Sequence, residues 1–332
     1  MNDFVSEEEI LLKVSGLKQH FKTGGKTFKA VDGVSFFIKK GEVFGLVGES
    51  GCGKTTTGRC IIGLNEITDG EIYFHDKRIG AGMRLKRSLD RKIRGQVRAE
   101  CKQNAPLSRK IQMIFQDPIE SLNPRMTVKE IIAEGLICRG EKDKKRIDEQ
   151  VNETLKTVGL SPSHAGRFPH EFSGGQRQRV GIARAIITEP ELIIADEPVS
   201  ALDVSVQAQV INLLDDLKTR LGLTVLFIAH NLSVVKYFSD RIGVMYRGKL
   251  VEVAPADELF KTPMHPYTKA LLSAIPLPDP YYEKSRQRTV YEPSDTLEKG
   301  EWKEIVAGHF VRCGEGEELA LRARFFGKNR GN

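Results

Sequence analysis

Nine consecutive residues, GESGCGKTT (Gly48, Glu49, Ser50, Gly51, Cys52, Gly53, Lys54, Thr55 and Thr56), have the spacing of a loop that grips phosphate. The apolar run EVFGLVG leads into it and KTTTGRCIIGL leads out, so the loop lies between a strand and a helix, the setting such a grip needs. Its glycines let backbone N–H groups close around phosphate, and the helix N-terminus adds a favourable partial charge. Lys54 is then placed to reach the β- and γ-phosphates of a nucleotide, and the Thr55 hydroxyl to ligate Mg²⁺. Cys52 occupies a variable position, where it fills space. A second device of hydroxyl and glycines, Ser173-Gly174-Gly175 followed by Gln176, sits over a hundred residues downstream in HEFSGGQRQRV and also opens onto a helical segment. Two phosphate grips so far apart in one chain need an explanation.

Carboxylates of the right kind accompany the first grip. LIIADE, Leu192 to Glu197, is an apolar strand ending in two acids at the edge where ligands of α/β sheets bind. Asp196 is placed to hold Mg²⁺ through its water shell. Glu197, which strand alternation turns the other way, can take a proton from an attacking water, help that typically gives about 10² to 10⁴ in rate. FIAH ends the next apolar strand in His230, on the same edge, where it can donate a hydrogen bond to the terminal phosphate. Gln116 closes the apolar run MIFQ and can reach the Mg²⁺ or the water. Acids capping a strand, or a lone His beside one, are ordinarily structural; beside a phosphate loop they read as its chemistry.

The elements that must position these groups can be read along the chain. Strand-like runs separated by Gly and Lys open it, and EVFGLVG, GEIYF, KIQMIFQDP, ELIIADEP, LTVLFIAH, RIGVMYRG and KLVEVA follow. Helical periodicity runs from Thr127 to about Gly159, from near Gln176, and over Gln207 to Leu221. Strands alternating with helices predict an α/β fold with a largely parallel sheet, interrupted by a helical insert. Beyond Ala256, clustered prolines (263, 266, 276, 278, 280) and then a charged segment mark a separate appendage. The composition, 40% hydrophobic and 29% charged over 332 residues, is that of a globular chain with a real core. No apolar run is long enough to span a membrane and the acidic start MNDFVSEEEI is not signal-like, so the cytoplasm is the expected compartment. The five cysteines form no CxxC pair and read as free thiols. The formal charge of +7 is concentrated: between Asp76 and Lys110 stand twelve Lys/Arg against three acids, with no aromatic residue among them. Without aromatics the stretch lacks a stacking platform for single-stranded nucleic acid and reads as a solvated surface excursion.

Taken together and in this order, the motifs resemble the ATP-binding cassette family: Walker A at Gly48 to Thr55, a Q-loop at Gln116, the SGGQ signature at Ser173 to Gln176, Walker B at Leu192 to Asp196, SALD at Ser200 to Asp203 and a switch histidine at His230. The resemblance covers roughly residues 10 to 255. It implies an α/β fold of RecA-like P-loop NTPase type, with an N-terminal antiparallel β subdomain, an inserted α-helical subdomain at about 117–180, and a C-terminal extension over 256–332. In that family two cassettes sandwich two ATP molecules, the signature of one facing the Walker A of the other. The two grips then serve two different sites, and Ser173 with the Gly174–Gly175 amides would hold the γ-phosphate of a partner's nucleotide. The signature begins with Phe172 where Leu is usual. Adenine stacks in this family on an aromatic upstream of Walker A; Phe21 and Phe28 are both candidates, with Phe28 favoured, and the apparent insertion KTGGK between them blurs the register.

TPMHPYTKALLSAIP, Thr262 to Pro276, resembles the His-Pro-Tyr segment of ATPase subunits of oligopeptide and dipeptide importers, and AGHFVRC near Cys313 resembles their tail. The resemblance implies an ATPase, using ATP and Mg²⁺, at the cytoplasmic face of the cell membrane. Its expected partners are a second, non-identical ATPase subunit, two transmembrane permeases and an extracytoplasmic substrate-binding protein; no nucleic acid is expected. Related subunits also serve importers of oligosaccharides or nickel. Some relatives carry an iron–sulfur cluster in the tail; Cys313 is the only cysteine here, so no cluster is expected.

Overall fold

The computed structural model describes residues 9–82, 91–275, 291 and 300–328. Strands β1 (Ile10–Thr23) and β2 (Lys26–Lys39) form a long antiparallel hairpin in which Phe21 and Phe28 are direct cross-strand partners. Its two-residue turn is Gly24–Gly25, both at positive φ, the conformation that matches the twist of such hairpins. KTGGK is therefore this turn. Strand β3 (Val43–Val47) passes into a second sheet and feeds the loop before helix α1 (Lys54–Ile61). Strands β4 (Asp69–Phe74) and β5 (Lys77–Ala81) return to the hairpin and complete a four-stranded antiparallel sheet in the order β2-β1-β4-β5.

Helix α2 (Arg91–Ser108) forms the second half of the basic stretch. Arg84, Lys86 and Arg87 of that stretch lie outside the described residues. Arg78, on β5, is paired with Glu71 at 2.8 Å and Glu100 at 2.5 Å, so part of the excess charge is neutralised locally. Strand β6 (Ile111–Ile114) follows, then the helical insert: α3 (Val128–Cys138), α4 (Lys144–Thr157) and α5 (Gly174–Ile186). The helical pattern expected over 127–159 is thus two helices. Thr127 starts the first in a capping box with Glu130, Gly140 at positive φ follows its end, and Asp143 caps the second.

The remaining core elements are β7 (Leu192–Asp196), α6 (Val204–Leu221), β8 (Thr224–Ala229), α7 (Leu232–Phe238), β9 (Arg241–Tyr246) and β10 (Lys249–Pro255). Helices α8 (Ala256–Lys261) and α9 (Pro266–Ser273), strands β11 (Glu301–Val306) and β12 (His309–Cys313), and helix α10 (Glu317–Lys328) end the described chain. The second sheet has eight strands in the order β11-β12-β10-β9-β3-β8-β7-β6, parallel from β9 to β6 and antiparallel beyond. Both its faces are covered, as parallel strands require. Val43 and Val47 pack toward the helices, whereas Phe44 and Leu46 pack toward the antiparallel sheet.

The tail does not stand apart as its composition suggests. Strand β12 pairs with β10 and so extends the main sheet. His309, wholly buried on β12, lies between Glu252 of β10, 2.8 Å from Nε2, and Glu258 of α8, which meets Nδ1. Prolines 276, 278 and 280 lie outside the described residues.

Candidate functional site

The register of the parallel strands brings the chemistry together. Val47 pairs with Ala229, Ile228 with Asp196, and Ala195 with Ile114. One step beyond those rows stand Gly48, His230 and Glu197. Gln116 lies two residues past the end of β6 rather than within the strand, and its side chain still reaches the row. Parallel strands end at the same edge, so residues scattered from 48 to 230 meet there.

The loop between β3 and α1 is closed from within. Lys54 is buried, and its ammonium donates to the carbonyls of Gly48 at 2.8 Å and Glu49 at 2.9 Å. Only glycine fits at Gly53, where φ is 108° and a Cβ would stand 2.2 Å from the Ala30 carbonyl oxygen. Cys52 is buried with its sulfur against Lys54, and burial pushes its thiol pKa up, which suits a space-filling group. Ser50, Gly51, Gly53, Lys54, Thr55 and Thr56 line a cleft of about 510 Å³. Gly48, Glu49 and Cys52 do not; they close the loop from behind, and the Glu49 N–H turns away to Tyr267 Oη at 3.2 Å.

Phe21 and Phe28 line the same cleft, at 39% and 60% exposure, so neither is a core residue. The hairpin brings both rings to this cleft, so both candidates for the adenine-stacking residue line it.

The Thr55 hydroxyl donates to Asp196 Oδ1 at 2.8 Å. Burial holds the Asp196 carboxyl above its ordinary pKa against that hydrogen bond, and the neighbouring charge of Glu197 adds to the rise. Glu197 faces Gln116 and His230: Gln116 Nε2 donates to its Oε2 at 3.1 Å, and His230 Nδ1 lies 3.0 Å from the same oxygen. All three line both the loop's cleft and an adjoining one of about 780 Å³. Arg59, one helical turn beyond Thr55 on α1, lines the second cleft; its i+4 spacing from Thr55 was the sequence signal for it.

The donor set fits a nucleotide with Mg²⁺. Hydroxyl, carboxylate and amide oxygens from Thr55, Asp196 and Gln116 are hard ligands, few enough to leave room for phosphate oxygens and water, as Mg²⁺ prefers. Among the described residues no cluster of three or more His, Cys, Asp or Glu offers a metal an all-protein cage.

Ser173, Gly174, Gly175 and Gln176 line neither cleft. Ser173 caps α5 in a reciprocal box with Gln176: its Oγ accepts from the Gln176 N–H at 3.4 Å while its own N–H donates to Gln176 Oε1 at 3.1 Å. Phe172 is buried just before it. Gly175 also has a packing role, since a Cβ there would lie 2.5 Å from Val206 Cγ1 on α6. The second grip, exposed at Ser173 and Gly174 and half-buried at Gly175 and Gln176, is thus separate from the first.

Residues 31–200 match the ABC transporter family, and residues 251–300 match the family described as the oligopeptide/dipeptide transporter, C-terminal region. The chain is 59% identical over 318 residues to the oligopeptide transport ATP-binding protein OppF of Bacillus subtilis, covering 94% of this chain and 99% of that one. It is 51% identical over 313 residues to the oligopeptide transport ATP-binding protein AmiF of Streptococcus pneumoniae, covering 93% and 96%. Among solved structures, an ATP-binding cassette seen as a dimer in a post-hydrolysis state with ADP and Pi is 29% identical, with a TM-score of 0.61 over 74% of this chain and 99% of that one. The chain therefore belongs to the ABC transporter family as an ATPase of its oligopeptide/dipeptide transporter branch.

Proposed function

We propose that this chain binds and hydrolyses ATP to power import of oligopeptides or dipeptides through partner permeases. The observation that carries the reading is the single edge on which Lys54, Thr55, Asp196, Gln116, Glu197 and His230 meet. Lys54 and the amides of the loop hold the phosphates, Thr55, Asp196 and Gln116 hold Mg²⁺, and Phe28 with Phe21 covers the base. Bound Mg²⁺ neutralises charge on the phosphates. Glu197 accepts the proton of the attacking water; both its protein bonds fall on Oε2, and Oε1 has no protein partner among the described residues. His230 Nδ1–H donates a hydrogen bond to Glu197 Oε2, and a second donation, from Nε2 to a phosphate oxygen, takes a proton on each ring nitrogen.

Ser173, Gly174, Gly175 and Gln176 act on the nucleotide of a second cassette, in our reading a non-identical sister subunit. Two permeases and an extracytoplasmic binding protein complete the assembly, and the chain works at the cytoplasmic membrane face; no helix among the described residues is long and apolar enough to cross a membrane. Residues 1–255 form the ATPase unit, with the helical subdomain at about 117–180, and 256–332 the extension. No iron–sulfur cluster is proposed, because Cys313 is the sole cysteine after residue 255. The test is reconstitution with sister subunit, permeases and binding protein, followed by measuring which solutes raise ATP turnover. Stimulation by peptides is expected; stimulation by oligosaccharide or nickel alone would move the chain to another substrate class.

A further inference from the structure

We infer that Tyr267 is a positioning residue for the phosphate loop: its hydroxyl, delivered by the C-terminal segment, fixes the Glu49 peptide and presets the loop for phosphate. The inference rests on reading Gly48 to Thr56 as the nucleotide site. Glu49 is tied at both ends. Its N–H donates to Tyr267 Oη at 3.2 Å, and its carbonyl accepts from Lys54 Nζ at 2.9 Å and the Cys52 N–H at 3.3 Å. The peptide joining Gly48 to Glu49, whose carbonyl accepts from Lys54 Nζ at 2.8 Å, is therefore oriented through its N–H by a residue 218 positions away.

Tyr267 is itself held from several directions. Its ring is 2% exposed and packs on Tyr246 with centroids 4.3 Å apart. Its N–H donates to Nδ1 of His265, which caps α9, at 3.1 Å. The Met264 and His265 N–H groups donate to the Glu252 carboxylate at 2.7 and 3.0 Å, and His309 of β12 meets the same carboxylate at 2.8 Å. The tail strand thus fixes Glu252, Glu252 fixes the turn before α9, and the turn aims the hydroxyl. A phenylalanine would fill the same volume, so the hydroxyl is the informative atom. Buried, it would be costly without a partner, and its partner is a loop amide. A loop held in its binding conformation loses less freedom when ligand arrives, and the saving appears as affinity.

Tyr267→Phe deletes only that hydroxyl. In the full chain, MgADP binding should weaken on the order of 2- to 10-fold, the effect of one lost hydrogen bond. In the assembled transporter the KM for ATP should rise by a similar factor with kcat little changed. A purely structural role would instead lower the active fraction, hence kcat, and leave KM alone. Lys54→Ala is the reference arm. If it loses MgADP binding while Tyr267→Phe keeps wild-type affinity and KM, the inference fails and the nucleotide site stands. If Lys54→Ala also binds normally, both fail. Should Tyr267→Phe not fold, amide exchange in the wild-type chain decides: the Glu49 amide should exchange more slowly than those of Ser50 and Gly51, and equal rates would overturn the inference.

Discussion

Glu197→Gln separates nucleotide binding from chemistry if the carboxylate is the base. Two magnitudes decide what should be seen. Loss of a general base costs about 10² to 10⁴ in rate, or about 2.7 to 5.5 kcal/mol of transition-state stabilisation. The structural cost is smaller. Gln116 and His230 both bond Oε2, so an amide whose oxygen takes that place keeps both partners, and only the charge assistance is lost, about 1 kcal/mol in all. Binding should survive, because the substitution leaves Lys54 and its carbonyl contacts untouched and removes a negative charge from beside the phosphates. Hydrolysis should therefore fall by at least a hundredfold while MgATP affinity holds or improves, and the ATP-closed pair of cassettes should accumulate. Lys54→Ala should behave differently, losing affinity and turnover together. The assay is single-turnover hydrolysis, nucleotide retention and particle size with MgATP, with the sister subunit supplied and its own site disabled. Near wild-type turnover by the Glu197 variant would refute the assignment of the base.

Three further outcomes are expected. Gly175→Ala should destabilise the chain by about 1 to 3 kcal/mol, because its Cβ meets Val206 at 2.5 Å on a helix where a β-branched side chain has little rotamer freedom; Gly181→Ala, with nothing within 4 Å, should gain up to about 1 kcal/mol, and thermal unfolding of the two compares them. Burial works against the charged His309 ring, yet the hydrogen bonds and charges of Glu252 and Glu258 outweigh it and hold the His309 pKa above its ordinary 6.5. A raised folded-state value means that its stabilisation is fully present below about pH 6.5 and is lost as pH rises through the folded pKa, so β12 should exchange its amides faster on the alkaline side, and His309→Gln should flatten that dependence. Finally, the basic stretch should bind neither duplex nor single-stranded nucleic acid tighter than about micromolar at physiological salt; tight binding abolished by neutralising Arg84, Lys86, Arg87 and Arg91 would contradict its reading as surface.

What could be read from the sequence was local. The phosphate loop, Asp196, Glu197 and His230 each follow an apolar run directly, and a polar residue at the end of a buried strand is conspicuous in any α/β pattern. Three things escaped for physical reasons. Helix α2 has a single fully buried residue among its described side chains, Val97, so it carries no apolar stripe to betray it. The tail looked detached because charge and proline dominate it, whereas what docks it is a buried His309 between two glutamates, one of them on β10. Tyr267 escaped because its partner is the backbone of Glu49, and a backbone donor leaves no trace in residue type.

Glu197 shows most clearly where alternation stops being a guide. An extended strand carried one residue further would send Glu197 to the face opposite Asp196, and that was the expectation. Strand β7 ends at Asp196, and Glu197 adopts φ 44°, a left-handed conformation that a residue with a Cβ enters at a cost of about 1 to 3 kcal/mol. The conformation is over-determined: the Glu197 N–H donates to Ile228 O at 2.8 Å, and its carbonyl accepts from the Ser200 N–H at 3.2 Å and the Ser200 hydroxyl at 3.0 Å. The turn still gives the two acids different partners, Thr55 for Asp196, Gln116 and His230 for Glu197. It also leaves them close enough for the charge of Glu197 to raise the pKa of Asp196. Strain held in place by three backbone-directed hydrogen bonds sets the Glu197 carboxylate against Gln116 and His230. Ser200→Ala removes the hydroxyl bond and should therefore relax that turn and lower turnover without touching the carboxylate itself, and an unchanged rate would show that the two backbone bonds, to Ile228 and from the Ser200 N–H, suffice.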